Sequence, residues 1–527
     1  MKKIIITDSV DKKCVAILEA AGFSVTYKPG MKKDEIKQVI KDYNSLIVRS
    51  DTQVTPDIIS LMDNMEVIGR AGTGVDNIDV NAATRKGIIV MNTPGGNTIS
   101  TAEHTMALML SMCRNTPQAN QSLRSGKWDR KTFKGTELQA KTLGIIGLGK
   151  IGREVAVRAK SFGMNLIGHD PILSEDMAAV LNVKLVDLDT LFKLSDIITV
   201  HVPLNDETRN LISSSTLKKC KDGVKIINCA RGGIVEESAL VEALNSGKVS
   251  SAAFDVYTAE PPDFSGPLIQ HPRIVTTPHL GASTEEAQEK VAVQIAEQIV
   301  DLFSQKAVRG AVNASAIEAS GNKEIVPYVM LAENLGGLFA QIIKGQLKEI
   351  NINYSGELLH SYTSLLSTSL LKGFLSKMMS EDINLINSPY FAKEMGVIIN
   401  ETKSGANVNY TNLMSAELIT DKEKRSLAGT VFGNKEIRVV YIDSYHLELK
   451  PEGNMLVYSN IDKPGMLANV GKILAEANIN IAGLSLGRID IGKEALTVIN
   501  VDNDLDKNVV EKIASVSGIK KVFSVKL

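Results

Sequence analysis

Residues 141–171, KTLGIIGLGKIGREVAVRAKSFGMNLIGHDP, constrain this 527-residue chain more than any other stretch. An apolar run, TLGII, leads into G-x-G-x-x-G as Gly147, Gly149 and Gly152. Apolar positions then recur at helical spacing, and a second apolar run ends at Asp170. Strand, glycine turn, helix and strand in that order predict a parallel βαβ unit. The glycines permit a tight turn and close approach of a diphosphate to the amides that open the helix. Asp170 lies 170 − 147 = 23 residues after the first glycine. That is near the ~20 expected of an acid that accepts hydrogen bonds from ribose hydroxyls. Its charge repels a 2′-phosphate, so the expected cofactor is NAD rather than NADP. Lys150 and Ile151, inside the fingerprint, are counted with Gly147, Gly149, Gly152 and Asp170 as cofactor contacts.

The unit sits inside a longer rhythm. In the first 95 residues the runs KIIITD, SVTYKP, SLIVRS, EVIGRA and GIIVMN alternate with amphipathic segments such as KKCVAILEAAG. This predicts a parallel sheet with helices on both faces. A helical stretch at 98–115 follows, the βαβ unit restarts the rhythm, and further strands are expected at DIITVHV, KIINCA, SAAFDV and RIVTTP. A second long helical pattern then runs to about residue 306. Two long helices flanking the second unit favour one α/β domain inserted into another. The expected architecture is two doubly wound parallel-sheet domains: a substrate-binding domain (1–96 and 284–310) and an inserted Rossmann NAD-binding domain (97–283). Beyond them AVNASAIEASGNKE reads as a linker, residues 315–450 mix helices with strands such as EIRVVYIDSYHLELKP, and 453–527 form a compact α/β unit of their own.

A net charge of −1 argues against a nucleic-acid surface. No apolar run approaches the ~20 residues of a membrane span, and the amino-terminal apolar run is broken by Asp8, short of a signal peptide. Four cysteines without pairing or metal spacing imply reduced thiols and a cytoplasmic protein.

Three polar residues follow successive expected strands of the second unit: Arg231 after KIINCA, Glu260 after SAAFDVYTA and His279 after RIVTTP. Strand carboxyl ends face the ligand crevice of a doubly wound sheet. Taken singly, each is an ordinary ion-paired or loop residue; together beside a nicotinamide they form a dehydrogenase set. Oxidising an alcohol needs a group that takes the hydroxyl proton and a cation that holds the neighbouring carboxylate. His279 suits the first role and Glu260 would orient it. Arg231 suits the second, and Asp255 could accept the nicotinamide carboxamide. Cys229, at the end of its strand, is grouped with the cofactor contacts.

GLGKIG, CARGGIVEESAL, AAFDVYTAEPP and PHLGAS resemble, in that order, the D-isomer-specific 2-hydroxyacid dehydrogenase family. The resemblance implies the roles just assigned to Arg231, Glu260 and His279. GRAGTGVDNID and GKWDRKTFKGTEL resemble the phosphoglycerate dehydrogenase branch, whose substrate carries a carboxylate and a phosphate and needs further cations. Arg49 and Arg70, each ending a strand of the first unit, are candidates, since arginine suits phosphate. Arg130 and Lys131 lie on a loop that could reach the site from a neighbouring subunit. Carry-over from the branch adds Thr73 and Asn97 to the cleft. Val202 stands where that branch often has threonine.

NIDKPGMLANVGKILAEANINIAGLSLGR looks like an ACT domain, a ferredoxin-like module that binds amino acids. The likeness makes Asn460, Asp462 and Asn480 candidate L-serine contacts; a unit that only pairs subunits is the alternative. NSPYFAKEMGV and RSLAGTVFGNKEIRVVYIDSYHLEL resemble the intervening domain of long-form members. The whole resemblance implies NAD-dependent oxidation of 3-phosphoglycerate to 3-phosphohydroxypyruvate, the first step of L-serine synthesis, by a homotetramer. A glyoxylate or hydroxypyruvate reductase and a non-catalytic, corepressor-like NAD sensor remain the alternatives.

Overall fold

A computed structural model describes the chain except residues 307, 319–321, 406, 408 and 434. Strand Lys3–Ile6 shows why its sheet is covered twice. Ile4 and Ile6 enter a core on one face and Ile5 enters a second core on the other. Successive side chains of a strand point to opposite faces, so an unbroken apolar run asks for helices on both. The five strands run in the order Ser24–Tyr27, Lys3–Ile6, Ser45–Val48, Val67–Arg70, Ile89–Met91, all parallel. Helix Glu285–Phe303 returns from far along the chain to this sheet, burying Val291, Ala292, Ile295 and Ile299 against it.

Between its two contributions lies a seven-stranded parallel sheet. Its order is Ile274–Thr276, Val249–Phe254, Val224–Asn228, Ile197–Val200, Thr142–Ile146, Asn165–His169, Lys184–Leu185. The order reverses between Thr142–Ile146 and Ile197–Val200, the switch point where such sheets bind ligands. The helix expected over 98–115 ends at Arg114, because Asn115 turns left-handed (φ 52°) and a second helix, Thr116–Arg124, starts with Pro117 in its first turn.

The third sheet, six-stranded and mostly antiparallel, is covered by helices Val326–Ile342 and Thr363–Met378. These helices cross closely: a Cβ on Gly336 would lie 2.0 Å from the Leu370 carbonyl oxygen, and one on Gly373 1.9 Å from that of Glu333. EIRVVYIDSYHLELKP proves to be two strands, Glu436–Ile442 and Tyr445–Leu449, because Asp443 takes a left-handed turn (φ 52°) between them.

The final sheet orders Ile481–Arg488, Glu494–Val501, Asn454–Ile461, Ile519–Lys526, all antiparallel, with two helices on one face. Its other face does not stand alone. Met455, Val457, Val498 and Val525 complete the core of the preceding domain. The expected linker is also more ordered than its composition implies. Ala311 bridges Met91, Asn313 accepts the Val90 amide, and Ser315–Glu318 is helical; its residues 319–321 lie outside the described ones.

Candidate active site

Strand Val249–Phe254 delivers Asp255, fully buried, to the floor of the cleft between the first two sheets. Its carboxylate accepts the amides of Leu280 (2.7 Å) and Gly281 (2.8 Å) and the Thr277 hydroxyl (2.6 Å). His104, one turn into helix Thr98–Arg114, brings Nε2 to 3.1 Å from the same carboxylate. Ser100 and Thr101 of that helix donate to the Gly281 carbonyl. Burial pushes the Asp255 carboxyl upward, but the hydrogen bonds from His104, Thr277 and Leu280 outweigh it and hold it below the usual range. These bonds fix the turn that carries His279, whose backbone is left-handed (φ 54°) with its amide on the Asp255 carbonyl (2.9 Å). A non-glycine residue in that region costs roughly 1–2 kcal/mol, so the turn is held rather than relaxed.

The imidazole Nδ1 of His279 lies 2.7 Å from Glu260 Oε2, and Glu260 Oε1 accepts the Tyr257 amide. Burial raises the Glu260 carboxyl, but hydrogen bonding and charge from His279 outweigh that and keep it below its ordinary value. With Nδ1 engaged, Nε2 is the atom left for proton exchange, without a partner among the described residues.

Three guanidiniums face this pair. Asn228, buried at its strand end, accepts the Ala230 amide and donates to the Arg231 carbonyl, shaping the turn that presents Arg231. Arg49 follows strand Ser45–Val48, its amide held by buried Asp8 (2.6 Å). Arg70 ends strand Val67–Arg70 with Nε buried and without an acceptor among the described residues. Burial first, and then the charges of Arg231 and Arg49, pull Arg70 down to about 10. Such crowding of like charge is costly until an anion balances it.

Arg49, Arg70, Glu260 and His279 line one cavity of about 420 Å³. An adjoining cavity of about 380 Å³ is lined by Thr73, Asn97, Ile151, Cys229, Arg231 and Asp255, and His279 lines both. Thr73 Oγ1 donates to Asn97 Oδ1 at 2.7 Å, tying the two sides of that cavity.

The fingerprint meets the second cavity through Ile151. Gly149 caps helix Lys150–Ser161 without a side-chain bond, and a Cβ there would meet no atom within 4 Å. A Cβ on Gly152 would lie 2.0 Å from the Gly147 carbonyl oxygen, so the turn itself requires glycine. Free first-turn amides beside open space are the donor set that a diphosphate needs. Asp170, half-buried, accepts the amides of Leu148, Ile172 and Leu173. Burial opposes its ionisation, but these bonds win and lower its carboxyl below the ordinary value. Lys150 points back to the Pro94 carbonyl (3.2 Å). Cys229 packs as a thiol pushed up to about 12 by burial. Val202 and His201 complete the wall, and burial lowers His201 to about 4, leaving its ring neutral.

Arg130 and Lys131 are exposed and line neither cavity of this chain. In the last domain Asn460 is buried with Oδ1 unpartnered, Asp462 accepts the Gly492 amide (3.1 Å) and Asn480 donates to Asp502 (2.8 Å). Among the described residues, these three make their hydrogen bonds to other partners and not to one another. Residues the sequence did not single out are His104, Thr277, Asp8, Asp76 and Asn77. Only GTGVDNID carried a local signal, a glycine-rich turn after a strand.

Comparisons with known proteins agree with this geometry. Residues 106–281 match the family described as D-isomer specific 2-hydroxyacid dehydrogenase, NAD binding domain. Residues 324–443 match the D-3-phosphoglycerate dehydrogenase intervening domain, and 455–518 the ACT domain. The chain is 42% identical over 519 residues to a D-3-phosphoglycerate dehydrogenase of Archaeoglobus fulgidus, covering 98% of each. It is 42% identical over 528 residues to that of Methanocaldococcus jannaschii, covering 100% of each. A solved glyoxylate reductase from Paecilomyes thermophila superposes with a TM-score of 0.55 at 31% identity, over 59% of this chain and 98% of that one. The chain belongs to the D-3-phosphoglycerate dehydrogenases, within the D-isomer-specific 2-hydroxyacid dehydrogenase family, and is a nicotinamide-dependent dehydrogenase.

Proposed function

We propose that this chain interconverts 3-phosphoglycerate and 3-phosphohydroxypyruvate with NAD, the entry step to L-serine. The observation that carries this reading is the convergence of Arg49 and Arg70 on the cavity that also holds the Glu260–His279 pair. A 2-hydroxy acid with one carboxylate needs one guanidinium; a second anionic group accounts for the others.

Arg231 holds the carboxylate and polarises the reacting oxygen. His279 Nε2 takes the hydroxyl proton during oxidation and returns it during reduction, while Glu260 fixes the ring and stabilises its cationic form. Asp255, with His104 and Thr277, keeps the His279 turn in place. Arg49 and Arg70 receive the phosphate. A bound nicotinamide supplies the hydride acceptor, held along Gly147–Gly152, Ile151, Thr73 and Cys229. Asp170 supports NAD over NADP, because its negative charge, 23 residues after Gly147, would oppose a 2′-phosphate.

The domain division 1–96 with 284–310, 97–283, 315–450 and 453–527 belongs to the same reading, supported by the four sheets. L-serine is the proposed effector of the last domain. Exposed Leu484, Leu486 and Ile489 along its edge support a homotetramer, and four buried thiols support a cytoplasmic setting.

NADH oxidation with 3-phosphohydroxypyruvate, hydroxypyruvate and glyoxylate, each with and without L-serine, tests the proposal. A preference of about 100-fold for the phosphorylated acid, worth ~2.7 kcal/mol, is expected. Equal rates on all three would instead make the chain a general 2-oxo acid reductase.

A further inference from the structure

We propose that Asp76 is a positioning residue for catalysis, holding the guanidinium of Arg231 from across the cleft. The inference deepens the functional reading above and rests on Arg231 being the carboxylate holder. Asp76 lies after strand Val67–Arg70 on the substrate-binding side, and Arg231 follows strand Val224–Asn228 on the other. Arg231 Nε donates to Asp76 Oδ2 at 2.9 Å, and Nη1 donates to the Ala230 carbonyl at 2.7 Å. Two bonds at different atoms fix the plane of a guanidinium and leave Nη2 without a partner among the described residues, free for a substrate carboxylate.

The support beneath Asp76 is itself fixed. Asn77 Nδ2 donates to the carbonyls of Arg49 and Thr52, each at 2.7 Å, and the Asn77 carbonyl accepts the Val54 amide at 2.8 Å. The same dipeptide therefore holds Arg231 by its acid and the loop of Arg49 by its amide. Gly74 closes the arrangement, since a Cβ there would lie 2.0 Å from Arg231 Nη2. A side chain at this position would push the guanidinium out of its place.

Stability does not explain the pair. Asp76 is 69% exposed and Arg231 31% exposed at the side chain, and an ion pair of that kind adds little to folding. A carboxylate placed beside an anion site also opposes substrate on charge alone. It serves the reaction if the orientation it imposes on Arg231 raises turnover more than its charge weakens binding.

The test is a double-mutant cycle of kcat and KM for wild type, Asp76→Asn, Arg231→Gln and the double variant, with thermal unfolding of each. Reduction of 3-phosphohydroxypyruvate and of hydroxypyruvate is followed, because both carry the carboxylate that Arg231 holds. Asp76→Asn is expected to lower kcat at least tenfold on both acids, with KM for NADH within twofold and an unchanged unfolding midpoint. Adding it to Arg231→Gln should change kcat less than threefold. Asp76→Glu keeps the charge but moves it by one methylene, and is expected to lose at least threefold. Wild-type kcat in Asp76→Asn overturns the proposal, whether or not KM falls, and so does a loss of equal size in the Arg231→Gln background. Failure of the wild type on the phosphorylated acid alone would sink the substrate reading while the hydroxypyruvate cycle still decides the role of Asp76.

Discussion

Replacing Arg70 by Gln separates phosphate recognition from general catalysis. Arg70 is the cation most prepared for an anion, because its buried Nε has no acceptor among the described residues to give up. A charge-assisted hydrogen bond contributes about 1.5–3 kcal/mol. At 1.36 kcal/mol per decade, its loss lowers kcat/KM for 3-phosphohydroxypyruvate roughly 10- to 150-fold. Hydroxypyruvate, which has no phosphate, should lose less than threefold. Arg49→Gln is expected at the lower end, since Arg49 Nη1 already donates to the Ser9 carbonyl at 3.3 Å. The unfolding midpoint of Arg70→Gln should stay level or rise, because burial and two neighbouring cations disfavour the charge in the free protein. The assay is NADH oxidation across a range of each acid, beside a thermal melt. Equal losses on the two acids would refute the assignment of Arg70 to phosphate, and so would no loss on either.

Two further carboxylates give predictions of their own. Glu260→Gln removes the carboxylate at His279 Nδ1, so kcat should drop on the order of 10- to 100-fold, with the pH profile of reduction moving toward acid. Asp170→Asn should narrow the preference for NADH over NADPH about tenfold, read from kcat/KM with each. Because the Asp170 carboxyl is lowered in the fold, its contribution to stability is present above its ordinary value and lost as pH falls. The melting gap between wild type and Asp170→Asn should accordingly be widest above pH ~4 and close below it.

Local rules made much of this molecule legible. Ile4, Ile5 and Ile6 in one unbroken run demand a strand with two covered faces, and the sheet has two cores at that point. The fingerprint is legible because its glycines are required by their own turn. His279 and Glu260, the proposed catalytic pair, could be singled out because each follows a strand on the same edge. Their fixing was not legible. His104 meets Asp255 across 151 residues, and nothing in an amphipathic helix marks which polar residue turns inward to a distant acid. Asp76 meets Arg231 across 155 residues, and an aspartate in a glycine-rich turn satisfies local chemistry without any partner. The tail failed for a different reason. Met455, Val457 and Val498 have the alternation of any half-buried strand, and alternation does not say whether the apolar face meets its own helices or a neighbouring domain.

The shared core also decides how the tail is joined to the rest of the chain. The last sheet and helices Val326–Ile342 and Thr363–Met378 bury one another, so they form a single packed body. The body is tied to the first domain at a short polar seam. Asn384 Nδ2 donates to the Gly87 carbonyl at 2.9 Å, Asn387 Nδ2 to the Arg85 carbonyl at 3.4 Å, and Ile386 buries itself in the first domain's core. Both acceptors close helix Val80–Arg85, whose amino end is capped by Asp79. Asp79 is three residues beyond Asp76 and two beyond Asn77, which grip Arg231 and the loop of Arg49. The seam, the helix Val80–Arg85 and the Asp76–Asn77 turn thus form one continuous run of backbone and side-chain contacts from the shared core to Arg231 and Arg49.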